Sequence, residues 1–327
     1  GEARFRFGMA KAASVICMYE MQSWQSPHGR PLPAPGPRTL VMGVLNVTPD
    51  SFSDGGQLGS EQAVVDRAGQ MLAAGADLLD LGGESTRPGA APVSIGDELA
   101  RVVPAIEAVR RAYPQAPLSI DTYKPEVATA ALAAGADMIN DIWGGTHGLT
   151  SAERAAWQRA ASDAAPAGDA EPPVPRPSAM AAVAARWRCP IILMHNRPDR
   201  AYGDFWPAVL LDFRLSLALA HTAGVVDAQI WLDPGFGFAK EPAHNLAVLR
   251  ELSRIVALGY PVLVGTSRKS TIGRVLGTTV DHRLEGTGAT VVWAIQQGAK
   301  MIRVHDVAEM VRFARMADAI NAGLAFA

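Results

Sequence analysis

Two side chains suited to binding an anion stand two positions apart near the end of the chain. Arg303 and His305 interrupt a stretch from residue 301 to 305 that is otherwise apolar. In a strand, residues two positions apart point to the same side. A guanidinium in apolar surroundings is costly unless it meets an anion, and its planar fork fits phosphate oxygens. The pair therefore indicates a site for a phosphate-type group.

Two carboxylates and an amide each stand at the end of a short apolar stretch elsewhere. They are Asp121, Asn140 and Asp233. A carboxylate accepts two neighbouring N–H groups side by side, which is strong and directional, and an amide both donates and accepts. The set would suit a ligand with a row of N–H donors, such as the edge of an aminopyrimidinone. The alternative is an internal polar network that binds no ligand.

Three polar loops carry further candidates. "TPDSFSDGG", residues 48–56, surrounds Phe52 with acids and hydroxyls, and a flat ligand ring would be a packing partner for this aromatic side chain. "STRP", residues 85–88, offers hydroxyls, an arginine and a rigid proline. "TSRKS" ends in Lys269 and Ser270 at a predicted helix start. Each loop alone could be ordinary helix capping with surface charge.

Eight short apolar stretches, each followed by a segment of helical periodicity, must position these residues. Near-continuous apolar strands that alternate with amphipathic helices indicate a parallel sheet covered by helices. Eight such units favour an α/β fold of the (β/α)8 TIM barrel type over an open doubly wound sheet. The predicted strands are Thr39–Val47, Asp77–Gly83, Pro117–Asp121, Met138–Ile142, Cys189–His195, Ile230–Gly235, Pro261–Thr266 and Met301–His305.

A barrel of this kind would bring the candidates to one end, because its active site is built from the C-terminal ends of the strands. The first and last strands of a closed barrel are neighbours. Asn46, at the end of the first strand, would then converge with Arg303 and His305 on a corner for pyrophosphate and Mg²⁺. No dense group of acids accompanies them in the sequence. Mg²⁺ there would be held by anion oxygens and waters, with one neutral protein oxygen.

We expect one barrel domain over residues 39–327, preceded by an N-terminal extension. Residues 1–38 include "SPHGRPLPAPGPR", whose density of Pro and Gly predicts a loosely ordered arm. An insertion of about residues 147–177 separates the fourth strand from its helix, and we expect it to have little catalytic weight. Within it, an Ala-rich helical segment at 151–165 precedes a Pro/Ala/acidic linker. A second helix at about 178–188 would then be the barrel's own.

The composition excludes several classes of protein. The 327 residues include 30 Lys plus Arg against 32 Asp plus Glu, a balance that indicates neither a nucleic-acid partner nor a membrane surface. No apolar run approaches the roughly 20 residues of a membrane span, and we expect no signal peptide. Two cysteines, Cys17 and Cys189, are too few for a disulfide scaffold and fit a reducing compartment. We therefore expect a cytoplasmic enzyme that acts on small-molecule substrates.

Eight motifs together resemble the dihydropteroate synthase family of folate biosynthesis. In order they are "GVLNVTPDSFSDGG", "GGESTRPGA", "SIDTYKPEVA", "INDI", "LMH", "LDPGFGFAK", "GTSRKS" and "IRVHDV". The first two are highly specific, whereas "DPGFGF" alone would not be. The resemblance implies a barrel that joins 6-hydroxymethyl-7,8-dihydropterin pyrophosphate to p-aminobenzoate and releases pyrophosphate with the help of Mg²⁺.

The resemblance also implies roles for individual residues. The pterin would be bound by Asp121, Asn140, Asp233 and Lys269, and the candidates for packing on its ring faces are Met194, Phe238 and Ile142. The p-aminobenzoate pocket would comprise Phe52, Thr86, Arg87, Pro88 and Ser270. The pyrophosphate would be bound by Asn46, Arg303 and His305, with Asp54 ordering the first loop beside it and Asn46 reaching the metal. The catalytic candidates among these are Lys269, Arg303, His305 and Asp121.

Such a substitution requires neither a nucleophilic side chain nor a strong base, and the sequence offers no Ser-His-Asp or Cys-His arrangement that we can assign. The Gly and Pro residues of the first two loops lead us to hypothesise that these loops order over bound pyrophosphate. His195 and Arg197 receive no role in catalysis, and we expect His195 to be structural.

Three other readings remain. A corrinoid-linked pterin methyltransferase would not need "STRP" and "SRKS" together, nor Arg303 with His305. A catalytically silent paralogue should have lost loop or anion residues, which are present. An unrelated phosphate-binding barrel enzyme is more distant. The segment "GATVVWAIQQ" has apolar side chains on more than one face, which predicts a homodimer through the last helices or, alternatively, a well-covered barrel helix.

Overall fold

Eight parallel strands form a barrel in the computed structural model, which describes residues 24–47, 56–85, 91–163 and 172–323. The strands of the described residues are β1 (Trp24–Gln25), β2 (Pro31–Leu32), β3 (Leu40–Asn46), β4 (Leu78–Gly82), β5 (Leu118–Asp121), β6 (Met138–Asp141), β7 (Ile191–Met194), β8 (Ile230–Asp233), β9 (Leu263–Val264) and β10 (Met301–Val304). The barrel order is β8-β7-β6-β5-β4-β3-β10-β9. A parallel bridge between Leu232 and Val262 joins its two ends. The prediction of an eight-stranded barrel is confirmed.

Helices cover the outside of this sheet. They are α1 (Gly56–Ala73), α2 (Ile95–Ala112), α3 (Pro125–Ala134), α4 (Ser151–Asp163), α5 (Ala179–Trp187), α6 (Phe205–Thr222), α7 (Pro242–Arg250), α8 (Ser253–Val256), α9 (Ser270–Leu276), α10 (Leu284–Gln296) and α11 (Val307–Ala322). Helix α3 begins at a proline and ends at Gly135, whose φ of 118° suits glycine. Across the described ranges, no helix combines the length and apolar character needed to cross a membrane.

The side chains that point into the barrel are apolar at its N-terminal end, here called the floor, and polar at its C-terminal opening, here called the mouth. One buried cluster fills the N-terminal half of the interior, and it includes Leu40, Met42, Leu78, Met138, Ile192, Trp231, Leu263 and Met301. Side chains two or four residues further along the same strands share this inner face. They include Asp80, Asn140, Asp233 and Arg303. The residues that alternate with them pack outward against the helices, which form the larger core.

A short antiparallel hairpin of β1 and β2 lies against the N-terminal end of the barrel, opposite the mouth. Leu32 of this hairpin belongs to the apolar floor cluster. Arg30 donates to Oδ1 of the fully buried Asp137 at 3.0 and 2.6 Å, and Arg110 donates to Oδ2 at 2.8 Å. Where we expected a loose arm, residues 24–38 therefore contact the barrel. Residues 1–23 lie outside the described part of the chain.

The insertion contributes an extra helix that is attached to the barrel. Helix α4 buries Trp157 in a small cluster with Leu215 and Leu219 of α6. Helix α5 then follows, with Ser178 as its N-cap accepting from the backbone N–H of Ala181 at 3.2 Å. Both helices lie within two residues of the predicted bounds, because the apolar period and the capping serine are readable signals.

Candidate active site

Arg303, whose side chain is 19% exposed, joins two carboxylates at the base of the barrel mouth. Arg303 donates from Nε to Oδ2 of Asp80 and from Nη2 to Oδ2 of Asp121, each at 2.6 Å. Asn140 donates from Nδ2 to the same Asp80 oxygen at 2.9 Å. Burial opposes the charge of Arg303, but the two carboxylates offset this and its pKa is raised above the ordinary value. Asp80 was not among the predicted site residues.

Asp121 is the most perturbed acid of this group. Burial raises its pKa to about 7; Arg303 acts in the opposite direction, while Asp80 and Glu98 add to the rise. Its Oδ1 has no hydrogen-bond partner among the described residues although it is buried. A buried acceptor without a partner is rare in native proteins and often marks a functional group. Asp121 can therefore bind a ligand N–H or carry a proton near neutral pH.

Asp233 and Lys269 lie across the mouth from Asp121. Asp233 accepts from the backbone N–H of Gly235 at 2.7 Å, yet burial raises its pKa. The ammonium of Lys269 donates to the carbonyl of Phe236 at 2.7 Å and lies 4.2 Å from the ring centre of Phe238. Burial lowers the pKa of Lys269 to about 8, although Asp233 favours its charge. The two side chains are an acceptor and a donor in a region of low dielectric.

A second buried network supports the loop that follows β8. Lys240 donates to Nδ1 of His195 at 2.7 Å and to two backbone carbonyls of this loop at 3.2 Å. His195 binds Asp212 through Nε2 at 3.0 Å, and Asp212 also accepts from Arg154 and Gln158 of the insertion helix, each at 2.8 Å. Burial lowers the pKa of His195 to about 4 and that of Lys240 to about 7. His195 therefore connects Lys240 to Asp212, which is a structural position. The contacts of Arg154 and Gln158 with Asp212 show that the insertion helix reaches residues behind the mouth.

The predicted anion corner is only partly assembled. Asn46 is exposed at the end of β3, and His305 approaches Oγ of Ser267 through Nδ1 at 3.0 Å. Arg303, however, turns inward to the two carboxylates instead of toward the solvent side of the mouth. Ser270 is exposed as the first residue of α9. Arg303 can therefore contact a ligand at the base of the mouth, below the region of Asn46.

Apolar and small residues shape the rest of the mouth. Met194 and Ile142 are buried on the inner face, and Phe238 is half-buried. At Gly82 and Gly265, a side-chain Cβ would meet protein atoms only at ordinary contact distances, 3.5 and 3.7 Å at the closest. Packing within the protein therefore does not require glycine at either position. Both glycines leave room above Asp80 and Arg303.

Five predicted residues lie outside the described part of the chain, and they are Phe52, Asp54, Thr86, Arg87 and Pro88. The residues before the second loop are anchored. Glu84 and the buried Glu98 both form ion pairs with Lys124, which also donates to the carbonyl of Val93 at 2.8 Å. This cluster fixes both flanks of the segment that carries Thr86 to Pro88.

The oxygen donors near the mouth fit the kind of Mg²⁺ site that the sequence predicts. In the ranges that the structure describes, no group of three or more His, Cys, Asp or Glu side chains could bind a metal ion by itself. Asn46 offers one exposed neutral oxygen. Mg²⁺ keeps several waters and commonly binds through substrate phosphates, so a single amide oxygen is compatible with it.

The (β/α)8 fold, with polar side chains gathered at the C-terminal ends of its strands, defines the class of (β/α)8 barrel enzymes. The sequence pattern of the family described as "Pterin binding enzyme" matches residues 42–305. The chain belongs to this family, as a member of the dihydropteroate synthases.

Individual relatives support that membership. The chain is 47% identical to the dihydropteroate synthase of Bacillus subtilis over 283 residues, which are 86% of this chain and 89% of the relative. A Xanthomonas albilineans dihydropteroate synthase solved with 4-aminobenzoic acid is 39% identical, with a TM-score of 0.76 over 91% of this chain and 99% of that one. The same enzyme with 7,8-dihydropteroate gives 37% identity and a TM-score of 0.73 over 90% and 97%.

Proposed function

We propose that the mouth residues carry out the dihydropteroate synthase reaction in this chain. The substrates are 6-hydroxymethyl-7,8-dihydropterin pyrophosphate and p-aminobenzoate, and the products are 7,8-dihydropteroate and pyrophosphate. The observation that carries this assignment is a polar set around one opening, in which Asp121, Asn140 and Asp233 are buried and Lys269 is half-buried. Relatives of the same fold bind 4-aminobenzoic acid and 7,8-dihydropteroate.

In this proposal the polar set binds the pterin edge. Asp233 accepts from the pyrimidinone N–H groups, and the ammonium of Lys269 donates to the carbonyl and a ring nitrogen. Asp121 offers its unpartnered Oδ1. Met194 and Phe238 pack on the ring faces, where burial excludes water and strengthens these hydrogen bonds. The result is a fixed orientation of the methylene that reacts.

The chemistry is a substitution at that methylene. The bond between the methylene carbon and the pyrophosphate oxygen breaks, and the leaving group takes the electron pair. Electron donation from the reduced ring stabilises the cation-like carbon, the arylamine nitrogen bonds to it, and the nitrogen then loses a proton. The protein therefore contributes positioning and electrostatic stabilisation. We assign His305 as a hydrogen-bonding group for the leaving pyrophosphate, while Arg303 contributes its positive charge from the base of the mouth.

Asn46 is the residue that would hold Mg²⁺ through its amide oxygen. When bound, the ion supplies charge neutralisation to the oxygens of the leaving pyrophosphate. Residues 48–55 and 86–90 carry the remaining candidates, Phe52 and Asp54 in the first segment and Thr86, Arg87 and Pro88 in the second. We assign Phe52, Thr86, Arg87 and Pro88 to the p-aminobenzoate side of the site, with Ser270 near its carboxylate. We assign Asp54 to the pyrophosphate side, where it orders the first loop.

The test is a condensation assay with both substrates, with and without Mg²⁺. Wild type is compared with Arg303→Lys, which keeps a charge but cannot donate to Asp80 and Asp121 with the same fork. Arg268→Lys is the matched control, because Arg268 is exposed and pairs with Asp306 near the same mouth. The proposal is supported if product formation depends on Mg²⁺ and its rate falls strongly in Arg303→Lys but not in Arg268→Lys. Tight pterin binding without product in wild type would contradict it and favour a silent paralogue.

We also propose a homodimer through the last helices. Trp293 of α10 is 48% exposed, and Met316 and Ile320 of α11 are each 59% exposed. Helices α10 and α11 pack side by side, so these apolar groups can form one patch of the kind that marks an interface. Light scattering should give a dimer mass that Met316→Glu with Ile320→Glu reduces to a monomer. A wild-type monomer would contradict the proposal.

We propose one barrel domain from residue 39 with an N-terminal extension, supported by the contacts of residues 24–38 with the barrel floor. The buried free thiol of Cys189, whose pKa burial raises to about 12, suits a reducing cytoplasm. Resistance of the barrel to limited proteolysis as one fragment would support a single domain.

A further inference from the structure

Asp80 lies one layer below the mouth, and a single one of its oxygens makes two contacts. Oδ2 accepts from Nε of Arg303 at 2.6 Å and from Nδ2 of Asn140 at 2.9 Å. The side chain is completely buried. Its strand register pairs Gly82, two residues further on, with Asp121 of β5. Asp80 therefore stands directly beneath the residues that we assign to the pterin.

The contact with Asp80 decides how Asn140 can meet a ligand. The oxygen of an ionised carboxylate only accepts hydrogen bonds, so the amide atom next to it must be the Nδ2 donor. The other amide atom, Oδ1, then remains for the mouth. Asn140 without Asp80 could rotate and present either atom. With Asp80, it presents an acceptor.

The same oxygen fixes the plane of the Arg303 guanidinium. Asp80 holds Nε, and Asp121 holds Nη2. Two contacts on different nitrogens of a rigid fork determine its orientation. Removing Asp80 would leave the guanidinium attached to Asp121 alone, free to turn about that contact.

We propose that Asp80 is a positioning residue that fixes Arg303 and presents Asn140 as a hydrogen-bond acceptor to an N–H group of the pterin. The inference deepens the proposed function and rests on it. Asp80 contacts Asn140 and Arg303 through Oδ2, while its buried Oδ1 has no hydrogen-bond partner among the described residues. It acts through these two side chains.

The main test compares Asp80→Asn with Ser119→Ala. Ser119 is the register partner of Asp80 on β5, equally buried, and its Oγ has no hydrogen-bond partner among the described residues. The control therefore changes a buried polar group at the same depth without touching Arg303 or Asn140. We expect Asp80→Asn to weaken the binding of 6-hydroxymethylpterin by roughly 10- to 100-fold, the effect of weakening hydrogen bonds between charged groups. The KM for p-aminobenzoate should stay within the range of the control.

A second readout separates positioning from general stability. Asp80 is one of the charges facing Asp121, together with Glu98, Arg303 and Lys269. Loss of the Asp80 charge removes a repulsion, so the acid limb of pterin binding should move to lower pH in Asp80→Asn and stay in place in Ser119→Ala. In addition, Asp80→Asn should cost less affinity in an Asn140→Ala background than in wild type, because the part of its effect that acts through Asn140 is already lost there while the part that acts through Arg303 remains.

Each outcome is decisive. If wild type binds 6-hydroxymethylpterin while Asp80→Asn matches Ser119→Ala in affinity and pH profile, the positioning role is overturned and the proposed function stands. If wild type does not bind this pterin, both are overturned. Should Asp80→Asn fail to fold, hydrogen exchange of wild type with ¹⁵N-labelled asparagine provides the test. A slowly exchanging Asn140 side-chain amide supports the contact with Asp80, and a rapidly exchanging one contradicts it.

Discussion

Nε of Arg303 lies 2.6 Å from Oδ2 of Asp80, inside the barrel and below its mouth. This ion pair, extended by Asp121, places one half-buried guanidinium between two buried acids. Charges in such a place are costly unless each one has a partner. The barrel therefore maintains a charged layer between an apolar floor and an open mouth.

Removal of Arg303 should destabilise the fold as well as the site. Arg303→Ala leaves Asp80 and Asp121 buried without their cation, and breaking a buried ion pair in this way costs about 3–5 kcal/mol. Urea unfolding at pH 7.5 measures it. The control is Arg268→Ala, an exposed pair, where about 1 kcal/mol or less is expected. Equal losses for the two variants would contradict the charged layer.

The titration of Asp121 should appear in the pH dependence of stability. Its folded-state pKa of about 7 lies above the ordinary 3.8. The folded state therefore binds the proton more tightly, and this stabilisation is complete below pH 4 and lost as pH rises through 7. Asp121→Asn does not titrate, so its melting temperature relative to wild type should rise from pH 4 to pH 8. A difference that stays constant with pH would show that Asp121 titrates normally.

Lys269 should set the basic limit of pterin binding. Its pKa is lowered from 10.5 to about 8, chiefly by burial. Since the ammonium is the donor, affinity for 6-hydroxymethylpterin should fall as pH rises through 8. In Lys269→Arg the guanidinium stays charged in this range, so the basic limb should disappear even if the maximum affinity is lower. Calorimetric titrations with 6-hydroxymethylpterin between pH 6 and 10 measure this pH dependence. If the affinity of Lys269→Arg falls through pH 8 as it does in wild type, the titrating group is not Lys269.

Substitution of Asp137 should affect stability without affecting turnover. This fully buried carboxylate receives hydrogen bonds from Arg30, Arg110 and the backbone of Leu118 at the closed end of the barrel. Asp137→Ala would leave two arginines without their carboxylate partner, at a cost of about 3–5 kcal/mol. The N-terminal face of such barrels is structural, so kcat and KM at 20 °C should match wild type. A selective rise in KM would contradict this separation of the two faces.

The sequence was sufficient to predict the barrel, because its period of apolar strands and amphipathic helices is local and repeats eight times. It was less informative about which polar groups face each other. Asp80 stands in the apolar stretch "LLDLG", and the reasoning that singled out Arg303 as a charge in an apolar strand applies equally to it. That argument was made for an external anion, whereas the barrel brings β4 and β10 close enough for the two charges to pair.

Other differences have the same origin in distant contacts. The Pro- and Gly-rich residues before the first strand predicted a loose arm, but Arg30 finds Asp137, which lies more than a hundred positions away in the chain. We assigned no role to Lys240 from the sequence. Its ammonium contacts His195 and two backbone carbonyls of the turn after β8, and only the folded chain brings these three acceptors together. The roles implied for Phe52, Asp54, Thr86, Arg87 and Pro88 stay predictions, because these residues lie outside the described ranges.

The most direct measurement is single-turnover condensation of dihydropterin pyrophosphate with p-aminobenzoate by wild type and Asp233→Asn. Asp66→Asn, on the exposed side of α1, is the matched control. The account predicts 7,8-dihydropteroate from wild type and the control. It predicts at least about a tenfold loss in Asp233→Asn, because an amide cannot accept two N–H groups as the carboxylate does. Undiminished product from Asp233→Asn, or none from wild type, would contradict the assignment of the mouth as the pterin site.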